Sequence, residues 1–265
     1  MIEKSERHAA FDAPNTDEFE RLYAATFERG DDYETRLEDR FIIVGGGRLT
    51  LRRGELLHLN NSWLGRERTL IKIPRFEDCD CPYCHDRAEN YAEDRDMTVT
   101  KAMEYTWSPK TVAGVRAVYY GWSGYTIEAV EQFVDVVGEL DICASTINRR
   151  VDALADYAGV EDLYPHALRA ASAFFWSDIG LEAAYLQAIM GWNSIEVAVA
   201  YLRASGTQLA QRIERAFAVG GLERPDPVPA EDVLPPNDDA VAESQTQRPS
   251  PRSSKSLWDY AEASS

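Results

Sequence analysis

Residues Pro165–Leu202 read PHALRAASAFFWSDIGLEAAYLQAIMGWNSIEVAVAYL. Alanine and large apolar side chains recur through this stretch at helical spacing, so the block is expected to be nearly all helix. His166 and Arg169 stand three residues apart, which places both on one helix face. Pro165 precedes them at a position where a helix start tolerates proline. Trp192 and Tyr201 are nine residues apart. Nine residues turn a helix by about 180°, so these two cannot share one helix face. Asn193 and Glu196 read as a capping pair that opens a fresh helix after Trp192, with Tyr201 near its end and Gly206 as its stop.

Two upstream segments carry further cations. GRLTLRRGELLHL (Gly47–Leu59) supplies Arg52 and Glu55 at the start of a short helix whose apolar side is Leu51, Leu56, Leu57 and Leu59. WSPKTVAGVRAVYY (Trp107–Tyr120) supplies Lys110, Thr111, Arg116 and Val118. Arg68–Ile73 and Ala117–Trp122 are rich in strand formers and read as strands. Asp17–Glu28, Tyr33–Val44, Arg52–Asn60, Ala129–Val137 and Thr146–Tyr157 read as helices. The triple glycine Gly45–Gly47 ends the second of these. It lacks the G-K-[ST] and the spacing of a phosphate loop. The expected fold is α+β, mainly helical with a small antiparallel sheet.

The ordered set Arg52, Lys110, His166, Arg169, Trp192 and Tyr201 resembles the catalytic signature of tyrosine recombinases, the phage-type integrase family, over about Phe41–Phe217. The resemblance implies site-specific cutting and rejoining of DNA through a 3′-phosphotyrosine, with no metal or nucleotide needed for the chemistry. Arg52 and Arg169 would clamp the scissile phosphate, because a guanidinium stays charged and donates paired hydrogen bonds. Lys110 would protonate the departing 5′ oxygen, and His166 would manage the proton of Tyr201 or of the returning hydroxyl. Trp192 fills a position where the family has His or Trp. Its indole can donate a hydrogen bond but cannot shuttle protons. Tyr201 would be the nucleophile. The implied partners are double-stranded DNA and three further copies of the chain in a tetramer on paired sites. The Gly206–Val219 region would serve the exchange between them.

Each residue has a plainer reading. His166 alone reads as a surface or capping histidine, Tyr201 as a half-buried aromatic, Trp192 as core and Arg52 as part of a solvated face. The ordered spacing favours the joint reading. Lys72, in the strand-like RTLIKIP, rivals Lys110, and Lys101 is a weaker rival. Two other functions stay open: a non-catalytic DNA-binding accessory descended from a recombinase, and a type IB topoisomerase-like enzyme that relaxes DNA.

Between Pro74 and Trp107, where the family has a tight hairpin, lies an insertion containing Cys79, Cys81, Cys84 and His85 in the pattern C-x-C-x₂-C-H. Three soft ligands within six residues suit structural zinc, with His85 or the distant Cys143 as fourth ligand. The alternative is a loop of free thiols, reduced in a cytoplasm.

The chain carries 45 acidic against 28 basic residues, a net charge of −17. Only five of the basic residues are lysines: Lys4, Lys72, Lys101, Lys110 and Lys255. Affinity for DNA normally rests on neutralising phosphates, so this acidity is unusual for a DNA-binding protein. Abundant acid with little lysine resembles recombinases of salt-adapted archaea. In multimolar salt the Debye length shrinks to ~3 Å or less, and only close contacts count. The organisation expected is a short helical segment at 1–40, a catalytic domain at 41–220 with an insertion at 75–106, and an acidic Pro/Ser-rich tail at 221–265. The 40 residues before the catalytic domain are too few for the family's DNA clamp, so the expectation is that either the clamp is missing or an accessory DNA-binding partner supplies it. The tail holds seven of the twelve prolines and cannot bury a core, and its SLWDYAEA reads as unstructured or as a docking segment. No apolar run approaches the ~20 residues of a membrane span, and the N-terminus lacks a signal-peptide core, so the protein is expected in the cytoplasm.

Overall fold

A computed structural model describes residues 9–10, 12–29, 32–103 and 107–204. The expectations for Gly206–Val219 and for the tail lie outside the described residues.

Ten helices and three short strands are described. In chain order they are α1 (Thr16–Glu28), α2 (Tyr33–Gly47), α3 (Arg53–His58), β1 (Leu64–Gly65), β2 (Leu70–Lys72), α4 (Pro82–Arg95) and α5 (Val99–Met103). Then come β3 (Ala117–Tyr119), α6 (Gly124–Val136), α7 (Ala144–Ala158), α8 (Pro165–Asp178), α9 (Ala183–Met190) and α10 (Ile195–Ala204). The strands form one antiparallel sheet in the order β1-β2-β3, with Leu64 opposite Ile71 and Ile71 opposite Val118. Ile71 and Val118 point into the core while Lys72 faces out, as the two-residue period of a half-buried strand requires. Both strands are shorter than their sequence suggests. Arg66–Arg68 tightens into a 3₁₀ turn, and Thr69 takes a left-handed conformation at φ 48°.

Helix α2 is the axis of the molecule, packed by α1, α6, α7 and α8. It runs through the triple glycine instead of ending at Val44. The reason is packing, not propensity. A Cβ on Gly45 would lie 2.6 Å from a Leu56 methyl, one on Gly46 2.9 Å from Leu168, and one on Gly47 2.5 Å from the Phe19 ring. Glycine here lets α1, α3 and α8 approach the α2 backbone. Phe41 of α2 and Phe133 of α6 stack with centroids 4.1 Å apart. Because Phe19, Leu22 and Phe41 share one core with Phe133, Val151 and Leu168, the N-terminal helices belong to the same body. The boundary expected after residue 40 therefore falls inside α2.

Glycine costs a helix interior about 1 kcal/mol relative to alanine, so Gly47→Ala would ordinarily stabilise. Here the new methyl meets two buried side chains, Phe19 and Leu168, that have nowhere to go. Overpacking of this kind costs about 1–3 kcal/mol, so a net loss is expected in a denaturant melt. Gly124→Ala at the start of α6, where a Cβ meets nothing within 4 Å, should leave the midpoint unchanged or raised.

Helices α8, α9 and α10 form the far end, around Ala170, Ala173, Leu186, Met190, Trp192, Val197 and Tyr201. Helix α10 starts one residue later than the expected cap. Ser194, not Asn193, closes it, accepting from the Glu196 amide at 3.2 Å while its hydroxyl bonds the Glu196 carboxylate.

Candidate active site

A single buried carboxylate organises the cations. Glu55, on the first turn of α3, accepts from the Arg52 backbone amide at 2.8 Å and from the Arg52 guanidinium at 3.1 Å. Arg116, just before β3, grips the same carboxylate with two nitrogens at 2.7 and 2.9 Å. Arg169 stands on the first turns of α8, fully within the cluster's electrostatic reach.

The same three arginines cap the end of α9. Arg116 donates to the Ile189 carbonyl at 2.6 Å, Arg169 to the Met190 carbonyl, and Arg52 to the Gly191 carbonyl at 2.7 Å. The last carbonyls of a helix lack partners within it and carry the negative end of its dipole, so they suit guanidinium groups. Thr50, on the strap between α2 and α3, adds to this frame. Its carbonyl accepts from Arg116 and Arg169, and its hydroxyl donates to Ile189. Gly191 turns the chain at φ 62°, and a Cβ there would lie 2.9 Å from the Ala113 carbonyl and 3.1 Å from Arg52 Nη1. This is the physical reason for glycine before Trp192.

Burial alone would raise the Glu55 pKa. Arg116, by charge and hydrogen bond, together with Arg52 and Arg169, instead holds it down at about 2. Arg169 and Arg52 are also pushed down, Arg169 strongly, and burial is the largest cause for both. Repulsion from neighbouring guanidiniums adds to it, which opposes their charge where the Glu55 shift favours its own. Three cations surround one carboxylate, so the cluster has room for a further anion. Replacing Glu55 with glutamine keeps the shape and removes the countercharge that Arg52, Arg116 and Arg169 share. Loss of one partner from a buried ion pair costs about 3–5 kcal/mol, and that loss is expected for Glu55→Gln at pH 7. A carboxylate with a depressed folded pKa stabilises above its unfolded pKa, and loses that stability as pH falls through the folded value. The gap between wild type and Glu55→Gln should thus be full above pH 4.5 and close towards pH 2. A constant gap over that range in thermal melts would contradict the ion-pair account.

The cluster opens on a cavity of about 610 Å³. Arg52, Lys110, His166 and Arg169 line it, brought from α3's cap, the loop before β3, and α8. Four of the six expected residues therefore converge. Lys72 is not in that lining; it projects outward from β2, on the Gly65 side. Trp192 and Tyr201 do not line the cavity either. They pack against each other, rings parallel at 17° and centroids 5.2 Å apart, with Phe174 edge-on to Tyr201 at 5.0 Å. The helix-face argument separated them correctly, but Trp192 lies in the turn before α10 and folds back over that helix. Tyr201 is 5% exposed. Its burial pushes the phenol up to about 12, with the Arg169 charge opposing. Arg169 is thus shared, lining the cavity while its charge reaches Tyr201.

The sequence places Arg116 six residues after Lys110 in one segment. The structure shows it as a buttress that fixes Glu55 and α9. The insertion also reaches the cavity: Tyr83 and Arg87 of α4 line it. Arg87 donates to the Ser108 carbonyl at 2.7 Å, bracing the loop that carries Lys110.

The expected metal ligands need one correction. His58 Nε2 and the sulfurs of Cys79, Cys81 and Cys84 lie within 4.8 Å of one another. His85 is exposed on the first turn of α4 and is not in this group, and neither is the exposed Cys143. Spacing along the chain favoured the adjacent histidine, whereas the fold supplies one from α3.

The chain matches no family profile and no curated protein sequence. Its structure is similar to that of a XerA recombinase, with TM-score 0.52 and 16% identity over 81% of this chain and 64% of that one. It is also similar to the Tn1549 transposon integrase in complex with a circular intermediate DNA, with TM-score 0.53 and 16% identity over 82% of this chain and 68% of that one. The same integrase with transposon right end DNA gives TM-score 0.52 at 17% identity. The fold is that of a tyrosine-recombinase catalytic domain. The chain thus spans just under two thirds of the XerA recombinase. Among the described residues no helix is long and apolar enough to cross a membrane.

Proposed function

We propose that this protein is a DNA breaking and rejoining enzyme of the tyrosine-recombinase type. The observation that supports this most is the cavity where Arg52, Lys110, His166 and Arg169 meet above a buried cluster with surplus positive charge. A phosphodiester would supply the missing anion. Arg52 and Arg169 would bind its non-bridging oxygens and stabilise the charge of the pentacoordinate transition state, where one such donor can be worth ~10²–10³ in rate. The Tyr201 oxygen attacks phosphorus, the bond to the 5′ oxygen breaks, and Lys110 gives that oxygen its proton. His166 receives the phenolic proton. The 5′ hydroxyl of a partner strand then attacks the 3′-phosphotyrosine and releases Tyr201, so no bond energy is lost and no nucleotide is consumed. Strand exchange between two sites would engage a tetramer of the chain, with an accessory DNA-binding protein supplying further grip.

In the conformation described, Tyr201 is stowed against Trp192. Cleavage therefore requires α10 to present the ring to the cavity, and phosphate binding at Arg169 is the natural trigger. Stowage of the tyrosine is also the one observation that favours a second reading, a DNA-binding protein without chemistry. A trapping experiment separates the two. The protein is incubated in concentrated potassium chloride, in keeping with a salt-adapted composition, with a duplex nicked just 3′ of the scissile phosphate. The short fragment is then lost by diffusion after cleavage. A covalent adduct whose phosphopeptide maps to Tyr201 is expected. DNA binding without any adduct would leave the non-catalytic reading standing.

A further inference from the structure

We propose that His58 Nε2 and the thiolates of Cys79, Cys81 and Cys84 hold one structural zinc ion, which fastens the insertion between β2 and β3 to α3, the helix capped by Arg52. Its four ligands are separate from the residues assigned above to the DNA chemistry.

The donor set is brought together from two elements. His58 is the last residue of α3, and the cysteines precede and open α4, with Cys81 as its N-cap. His58 Nε2 lies 3.2 Å from Cys84 Sγ and 3.4 Å from Cys81 Sγ. With Zn–S near 2.3 Å and Zn–N near 2.0–2.1 Å, a tetrahedral site has N···S edges of about 3.6 Å. The observed edges are close to that size and need only a few tenths of an ångström of expansion. All four donor atoms fall within 4.8 Å of one another, so a single ion can reach each of them.

The histidine is oriented for this role. Its Nδ1 lies 2.7 Å from the Gly54 carbonyl, which can only accept, so Nδ1 carries the proton and Nε2 offers its lone pair to the sulfurs. A ligating histidine is normally held this way by a partner on its other nitrogen. The ring is fixed further by Trp107, stacked at 5.0 Å, and by Tyr83 at 5.6 Å. The Cys81 amide points at Cys79 Sγ at 3.5 Å. His58 and Cys84 are buried, and four protein donors fill a tetrahedron, so the site is closed and structural. A disulfide fits poorly. It would pair two of three sulfurs, strand the third, and leave a histidine nitrogen aimed into the group with nothing to bind.

A metal here has consequences for the site. The insertion contributes few buried apolar residues of its own, its small cluster being Ala88, Ala92 and Ala102. Zinc would hold α4 against α3, with the Tyr83 hydroxyl beside Gly54 and Arg87 on the Ser108 carbonyl. One ion would then steady both the helix capped by Arg52 and the loop of Lys110.

The test uses the full chain purified without chelators. Mass spectrometry under native conditions should find one zinc per chain. Alkylation should label Cys143 at once and the other three thiols only after chelation. Cobalt exchanged into the site should give the thiolate charge-transfer band and strong visible bands of a tetrahedral sulfur-rich complex. His58→Ala and Cys84→Ser should lose the stoichiometric metal, whereas His85→Ala and Cys143→Ser should keep it. If His58→Ala fails to fold, the alkylation pattern and cobalt spectrum of the wild type still decide. Rapid alkylation of all four thiols with no metal bound, or a disulfide among Cys79, Cys81 and Cys84, overturns the proposal. Metal kept by His58→Ala and lost by His85→Ala overturns the ligand assignment.

Discussion

Tyr201→Phe is expected to abolish the covalent DNA adduct while leaving DNA binding and the fold in place. Removing the nucleophile of an enzyme that works through a covalent intermediate costs roughly 10⁶-fold, which in a trapping assay means no adduct. Phenylalanine keeps the ring that packs on Trp192 and Phe174, so loss of adduct reads chemistry and not collapse. Stability should change little, and a gel shift in concentrated salt should be unaltered. The buried phenol, pushed up to about 12, adds a pH signature. A tyrosine whose folded pKa is raised above ~10 stabilises the packed state below that pH and loses the contribution as pH climbs towards 12. Wild type should therefore undock α10 in strongly alkaline solution more readily than Tyr201→Phe, as followed by tyrosine and tryptophan fluorescence. An adduct that persists in Tyr201→Phe would place the nucleophile elsewhere. Tyr185, exposed on α9, is the next residue to substitute in that event.

Much of this architecture is legible in the sequence, and the exceptions share a cause. Helices α6, α7 and α8 carry apolar residues at helical spacing, and their spans depart from expectation by only a few residues at most boundaries. The ordering of Arg52, Lys110, His166 and Arg169 foretold that they would meet, because each residue's type and place in the order constrain the others. The triple glycine misled because local propensity ends a helix there, whereas Phe19, Leu56 and Leu168 need the missing side chains. His58 was missed for a similar reason. A ligand 21 residues upstream of Cys79 is invisible to a spacing rule, and only the fold brings α3 to α4. One signal was available. His58 lies among Leu56, Leu57 and Leu59 in a chain with four histidines, and a histidine in that apolar run needs a partner. Glu55 and Arg116 were visible as motif letters, but their work as the frame beneath Arg52 and Arg169 depends on carbonyls at Ile189, Met190 and Gly191. Those contacts run between elements far apart in the chain, which no periodicity records.

The choice between Lys110 and Lys72 can be settled by a leaving group that needs no proton. In a substrate whose bridging 5′ oxygen is sulfur, the departing thiolate leaves unassisted, so the general acid becomes dispensable. Lys110→Ala is expected to slow cleavage of ordinary DNA by about 10²–10⁴-fold, the usual worth of a positioned proton donor, and to cleave the sulfur substrate near the wild-type rate. Position supports this choice: Lys110 lines the cavity with Arg52, His166 and Arg169, while Lys72 projects from the outer face of β2. Lys72→Ala should therefore leave both substrates within a few-fold of wild type. Rescue by sulfur confined to Lys72→Ala would reverse the assignment. Slow cleavage of both substrates by Lys110→Ala would mean that the lysine binds phosphate and gives no proton. In that case the donor must be sought among the other groups at the cavity, His166 first. The same substrate also separates the lysine from the arginine clamp. Arg169→Ala should fail on both forms of DNA, since charge on the phosphorane oxygens must be stabilised whatever atom departs.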